Sequence, residues 1–278
     1  MKVKLNKFKL LFYSVIALSA IFSALRIISL LTVFEPDIGY YKADAIIPRI
    51  QQILAVCSVI FIIAFSSIIR KNETPIGRPF PTHFSNFASF LCGTLQICSS
   101  ILILLFQRGS IAPVTIVIML GFAFATVYFF YDALCPPEKK SPYSIFPAMA
   151  AIVGLIAIIV KIHLDYTVTL NNPNKTLIFI SLAAISLYMV QELRFIVGKP
   201  QPRVYLATAS IALILSSALS IPGIIGYYSN VLSGGDFLIY YMVTFGYCVY
   251  IFVRLFLYTG FCACSPILTE EQNDQTME

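Results

Sequence analysis

Residues 144–162 read SIFPAMAAIVGLIAIIVKI. The stretch carries one charge, Lys161, near its far end. A helix rises about 1.5 Å per residue, so about 20 apolar residues cross the roughly 30 Å hydrocarbon core of a bilayer. This segment has that length and that composition. Working outward from it, seven more stretches of the same kind fill the chain: 8–33, 51–69, 85–106, 112–131, 176–196, 204–225 and 237–261. None alternates strictly between apolar and polar residues, which favours helices over the strands of a membrane barrel.

The composition agrees. Of the 278 residues 59% are hydrophobic and 12% are charged, with a mean hydropathy of +0.86. A soluble domain carries about 25% charged residues. Eight spans with short connections use nearly all of the chain and leave no room for a separate soluble domain. The expected fold is an all-α integral membrane protein of eight transmembrane helices, with the lipid bilayer as its partner and solvent. Residues 265–278 read as a polar tail.

Lysine and arginine placement sets the expected orientation. The N-terminus and every second connection hold 12 of them, among them Lys2, Arg70, Lys139 and Arg203, against 5 on the opposite side. Basic connections stay in the cytoplasm. Both termini are therefore expected inside a cell membrane. The net charge of +6 is a topology signal and gives no nucleic-acid footprint, because no basic patch sits on a soluble domain. The lysine-rich start and the run from Leu10 also resemble a signal peptide. Against cleavage, the apolar run continues to Val33, broken only by Arg26.

Two connections share a motif, G-[RK]-P-x-P. One is Gly77-Arg78-Pro79-Phe80-Pro81, the other Gly198-Lys199-Pro200-Gln201-Pro202, at an offset of 121 residues. Over the 13 positions from Gly77 to Ser89 the offset gives 5 identities. This suggests a duplication, with one four-helix half over residues 1–135 and another over 136–264. Four spans per half would make the repeat parallel, and such repeats place a shared cavity at their interface.

Ionisable residues inside spans are functional candidates by default. Counting along the spans puts Arg26 near the outer interface and Asp132, Glu192 and Arg254 near the inner one. They read as interfacial charges that snorkel or pair. Glu192 and Arg194 are too close in sequence for a helical pair, so Glu192 is expected to meet Arg254 or Arg70 from another span. No carboxylate, Lys or His reaches the midplane by this count. The most central polar side chain is Gln96, with Thr94 and Ser99 beside it. The 121-residue offset places Ser217 opposite Gln96 and Ser220 opposite Ser99. These five residues are helix–helix glue, or they line a cavity between spans three and seven.

Catalytic and cofactor signatures are missing. No H-E-x-x-H, G-x-S-x-G or phosphate-binding glycine loop occurs. The two histidines, His83 and His163, fall on opposite sides of the membrane and cannot share a metal. No cysteine spacing suits zinc. Cys262 and Cys264 are juxtamembrane thiols, idle or acylated. No enzyme activity and no cofactor are expected.

The first outer connection, residues 34–49, is the most distinctive. It holds Glu35, Asp37, Tyr40 and Tyr41, which would suit a cationic or peptide-like ligand or a solvated loop with an aromatic anchor. The run Leu25-Arg26 followed by Phe34-Glu35-Pro36-Asp37-Ile38-Gly39-Tyr40-Tyr41 resembles multi-pass membrane proteins of clostridia-type bacteria. In those proteins an acidic, glycine-aromatic turn follows the first span. The resemblance covers about 20 residues, implies a bacterial cell membrane and brings no known activity. Two functions fit the sequence. One is a permease or export component for a small uncharged or apolar substrate. The other is a non-catalytic accessory or structural subunit that docks a membrane partner protein or another copy of itself.

Overall fold

The computed structural model describes residues 6–36, 38–69, 74, 82–106, 112–135, 142–165, 172–232 and 235–275, with side chains to residue 263 in the last segment. Eight helices account for almost all of it: α1 (Lys7–Thr32), α2 (Ile46–Ile68), α3 (His83–Phe106), α4 (Pro113–Leu134), α5 (Ile145–Leu164), α6 (Pro173–Ile196), α7 (Pro202–Tyr228) and α8 (Gly235–Gln275). Each contains a segment long and apolar enough to cross a membrane. The chain is an eight-helix integral membrane protein, as the hydropathy indicates.

The helix ends follow from local chemistry. Pro113, Pro173 and Pro202 open α4, α6 and α7, where a missing N–H costs nothing. Asn172 caps α6, its side-chain oxygen accepting from the N–H groups of Asn174 and Lys175. Gly198 ends the same helix with φ +75°. There Lys199 N–H donates to Arg194 C=O and Gly198 N–H to Phe195 C=O, a Schellman stop. The second G-[RK]-P-x-P motif is therefore a helix stop joined to a helix start. Its counterpart at Gly77 lies outside the described residues. Two ends depart from the hydropathy reading. Helix α2 begins at Ile46 rather than Gln51, because Pro48 is tolerated in a first turn. Helix α8 runs on to Gln275, through most of the segment that reads as a polar tail.

Helices α3, α4, α5, α6, α7 and α8 pack each on the next, and α8 closes on α3. This makes a six-helix ring. Within it, α4 and α5 touch backbone to backbone. A Cβ added at Gly121 would lie 2.4 Å from the Cα of Gly154. Helix α1 lies outside the ring against α7 and α8, and α2 leans on α1 and α7. The start of α1 meets α8 before its final turns, with Asn6 Nδ2 donating to Ala263 O at 3.4 Å. The start of α1 and this part of α8 therefore lie at one end of the bundle. At the other end a short hairpin, β1 (Phe34–Glu35) with β2 (Tyr40–Tyr41), bridges α1 and α2.

The helix neighbours repeat in part between the proposed halves: α1 packs on α2 and α3 on α4, as α5 packs on α6 and α7 on α8. Helix α6 packs on α7, whereas α2 and α3 are not among the packed pairs. The boundary near residue 135 falls between α4 and α5, which pack closely across it. Of the residues matched by the offset, Ala88 and Ala209, and Ser89 and Ser210, are buried alike, whereas Phe84 is 52% exposed and Tyr205 is 3% exposed.

Candidate functional site

The four charges that counting places near the interfaces do not snorkel to the protein surface. Arg26, Asp132, Glu192 and Arg254 are all buried in protein, each at most 4% exposed. They form two centres at opposite ends of the bundle. A buried charge must be paired or hydrogen-bonded to be tolerated, and the two centres meet that demand differently.

The centre nearer the chain termini lies inside the ring. Arg254 of α8 pairs through Nη2 with Asp132 of α4. Its Nε lies 3.6 Å from Glu192 Oε1 of α6. Ser89 of α3 donates to Asp132 Oδ2 at 2.9 Å. Tyr250 and Tyr188 donate to the two oxygens of Glu192 at 3.2 and 3.5 Å. The guanidinium also stands 5.2 Å from the centre of the Tyr250 ring, a cation–π distance. Four helices that are distant in sequence are thereby tied at one point. Of the two partners the sequence offers Glu192, Arg254 is the one this centre supplies. Asp132, Ser89 and the tyrosines are additions. A signal for the tyrosines was available, since Tyr188 and Glu192, and likewise Tyr250 and Arg254, are four residues apart on one helix face.

The other centre lies at the hairpin end, where α1 and α2 meet the ring. Arg26 Nη2 donates to Asn174 Oδ1 at 2.6 Å, and Asn174 Nδ2 donates to the Tyr241 hydroxyl at 2.6 Å. Arg26 Nε finds no hydrogen-bond partner among the described residues, and no carboxylate among them is within ion-pairing distance. Asn172, which starts α6, also donates through Nδ2 to Gly39 O at 2.7 Å and so ties the hairpin turn to α6. Gly39 has φ +75°, and a Cβ there would meet Asn172 Nδ2 at 2.8 Å.

Arg26 lines a cavity of about 500 Å³. That volume falls within the roughly 300–1,000 Å³ of small-molecule sites. Its polar lining, Tyr41, Gln51, Gln52 and Thr176 with Arg26, collects at the hairpin end. Its deeper lining is apolar, with Val59, Ile60, Ile180 and Leu215. The cavity exists because α2 and α6 both pack on α7 but are not among the pairs packed on each other. Val56 and Ile60 of α2 and Ile180 of α6 line it and are half or more exposed. The cavity thus opens sideways between α2 and α6, along the apolar belt. Below it lies a smaller void bordered by Ser58, Ile62 and Ile214.

The remaining candidates are placed as follows. Gln96 and Ser99 are fully buried, and neither the Gln96 amide nor the Ser99 hydroxyl has a hydrogen-bond partner among the described residues. The Cys92 thiol, a weak partner, lies one turn away and close enough to interact. Thr94 donates to its own helix at Phe90 O. Ser217 and Ser220 do the same at Ile214 O and Ser216 O. Helices α3 and α7 both pack on α8 and are not among the pairs packed on each other, and none of these five residues lines the cavity beside Arg26 or the void below it. Of the loop residues, Tyr41 reaches the cavity, Glu35 and Tyr40 belong to the hairpin, and Asp37 lies outside the described residues. Cys262 is buried at the end of the ring, where an acyl chain has no access, and the Cys264 side chain lies outside the described residues. Among the described residues no three His, Cys, Asp or Glu side chains gather as a metal site requires. Comparison of the chain with protein-family models, with curated proteins and with solved structures finds no match.

Proposed function

We propose that this protein is a non-catalytic permease or export component that admits a lipid-like, largely apolar molecule through the gap between α2 and α6. The observation that carries this reading is the lateral cavity of about 500 Å³ beside Arg26. A site that opens into the apolar belt receives its ligand from the bilayer. The basic asymmetry and the meeting of the start of α1 with α8 support both termini in the cytoplasm. The hairpin end then faces outward, and the cavity occupies the outer half of the membrane. The non-catalytic part is supported by Asp132 and Glu192, which are engaged by Arg254 inside the ring and do not line the cavity.

The chain contains no Trp, so one introduced Trp is a clean reporter. Leu177 lines the cavity, while Phe124 of α4 is exposed and does not. In nonionic detergent, brominated hexadecanol should quench Leu177→Trp saturably at concentrations that leave Phe124→Trp bright. Filling the cavity with Ala218→Phe should abolish that difference. Equal quenching at the two positions would sink the reading and leave the role of a docking subunit.

A further inference from the structure

We propose that the occupant of the cavity is a single-chain amphiphile with an anionic head, a carboxylate or a phosphate, and that Arg26 is its counter-ion. This rests on the reading of the cavity as a binding site.

The charge balance argues for it. Arg26 is 3% exposed, so its charge has left water. A guanidinium offers five N–H donors and is never deprotonated. Here one donates to an amide oxygen of Asn174, and Nε has no partner among the described residues. Asn174 and Tyr241, which continue the chain of hydrogen bonds, are neutral. The opposite centre shows what this protein supplies when an arginine serves structure alone, namely two carboxylates on one guanidinium. At Arg26 the cation is held in place from behind by Asn174 and left to face the cavity. Such a fork binds carboxylate or phosphate oxygens in pairs.

The shape of the lining argues for an amphiphile. Polar side chains sit at one end, and the wall of α2 then runs apolar from Ala55 to Ile60. From Pro48 to Ile60 the lining follows α2 for about 18 Å at 1.5 Å per residue. A head at Arg26 with one chain laid along α2 satisfies both parts. The acidic outer connection alone suggests a cationic ligand. At this cavity, however, that connection contributes Tyr41 and Pro48, and the one charged side chain among the described lining residues is Arg26.

The test uses the full chain carrying Leu177→Trp, in nonionic detergent at about pH 8, where a carboxylic acid is ionised. Three brominated probes of equal chain length are compared: hexadecanoate, hexadecyl phosphate and hexadecanol. The anions should quench at concentrations about tenfold or more below the alcohol, the order of one charge-assisted pair. Whichever anion binds tighter identifies the head. Arg26→Gln should erase the advantage and leave alcohol binding intact, while Arg26→Lys should retain part of it. The preference of the unmodified Arg26 site is decisive even if a variant fails to fold. Equal binding of anions and alcohol would overturn the anion proposal with the cavity reading intact. No saturable quenching by any probe would defeat the cavity reading itself.

Discussion

Arg254 and Arg26 are equally buried, and they differ in what surrounds them. Arg254 sits inside a closed ring with two carboxylates, a serine and two tyrosines on its shell. Arg26 sits in the seam between the ring and the α1–α2 pair, with one asparagine and an open cavity. A guanidinium whose charge is balanced by two carboxylates serves to fix helices. An incomplete cluster beside empty volume is poised to bind. Burial of a charge alone therefore does not distinguish a structural group from a site. The distinguishing features are whether its charge is balanced among the described residues and whether space adjoins it.

The strongest way to break this comparison is to remove each arginine in turn. Arg254→Leu leaves Asp132 and Glu192 buried together without their counter-ion. Loss of one member of a buried ion pair costs about 3–5 kcal/mol, so this variant should show a sharply lower unfolding midpoint in detergent and poor monodispersity. Arg26→Gln removes a charge that has no carboxylate partner among the described residues and keeps an amide donor for Asn174. Its stability should stay within about 1 kcal/mol of the parent. Equal losses for the two variants would show that Arg26 is also structural.

A second contrast concerns how the two regions are packed. The ring closes through the backbone contact of Gly121 with Gly154, where an added Cβ at Gly154 would come within 2.6 Å of the Gly121 Cα. Overpacking of this kind costs about 1–3 kcal/mol. Gly154→Ala should therefore lower the unfolding midpoint. At the seam, Val56→Ala on α2 removes a side chain that is 60% exposed beside the cavity. It should change the midpoint by no more than about 0.5 kcal/mol. A seam as sensitive as the ring would mean that α2 is locked in place, which the lateral opening does not allow.

The sequence made some of this legible and hid the rest for physical reasons. All eight spans could be read, because length and hydropathy decide which segments enter a bilayer. The neighbours of each span could not. Lipid is as apolar as the side chains, so no hydrophobic force between helices leaves a strong pattern on their faces. The inward direction of Arg26 and Arg254 was hidden, because it depends on Asn174, Asp132 and Glu192 on other helices. The Glu192–Arg254 pairing could be named, since few partners exist. The cavity was out of reach, because it arises where α2 and α6 fail to pack. The described copy of the G-[RK]-P-x-P motif is a local stop-and-start device, which glycine and proline chemistry alone accounts for.

The smallest expected effect separates an incomplete polar group that adjoins a cavity from one that does not. Gln96 is fully buried in α3, which packs on α4 and α8. Both atoms of its amide lack hydrogen-bond partners among the described residues, and it does not line the cavity beside Arg26. A buried, unsatisfied amide is a cost, so its replacement by an apolar side chain of similar volume is nearly neutral or stabilising. Gln96→Leu should move the unfolding midpoint by no more than about 1 kcal/mol, toward greater stability. It should also leave quenching of Leu177→Trp by every probe unchanged. Loss of binding in Gln96→Leu, with the fold intact, would place a ligand path through α3 and break the rule that incompleteness marks a site only where space adjoins it. A marked loss of stability would instead give Gln96 a hydrogen-bonded role between helices, and the ring would hold a second polar tie beyond Arg254.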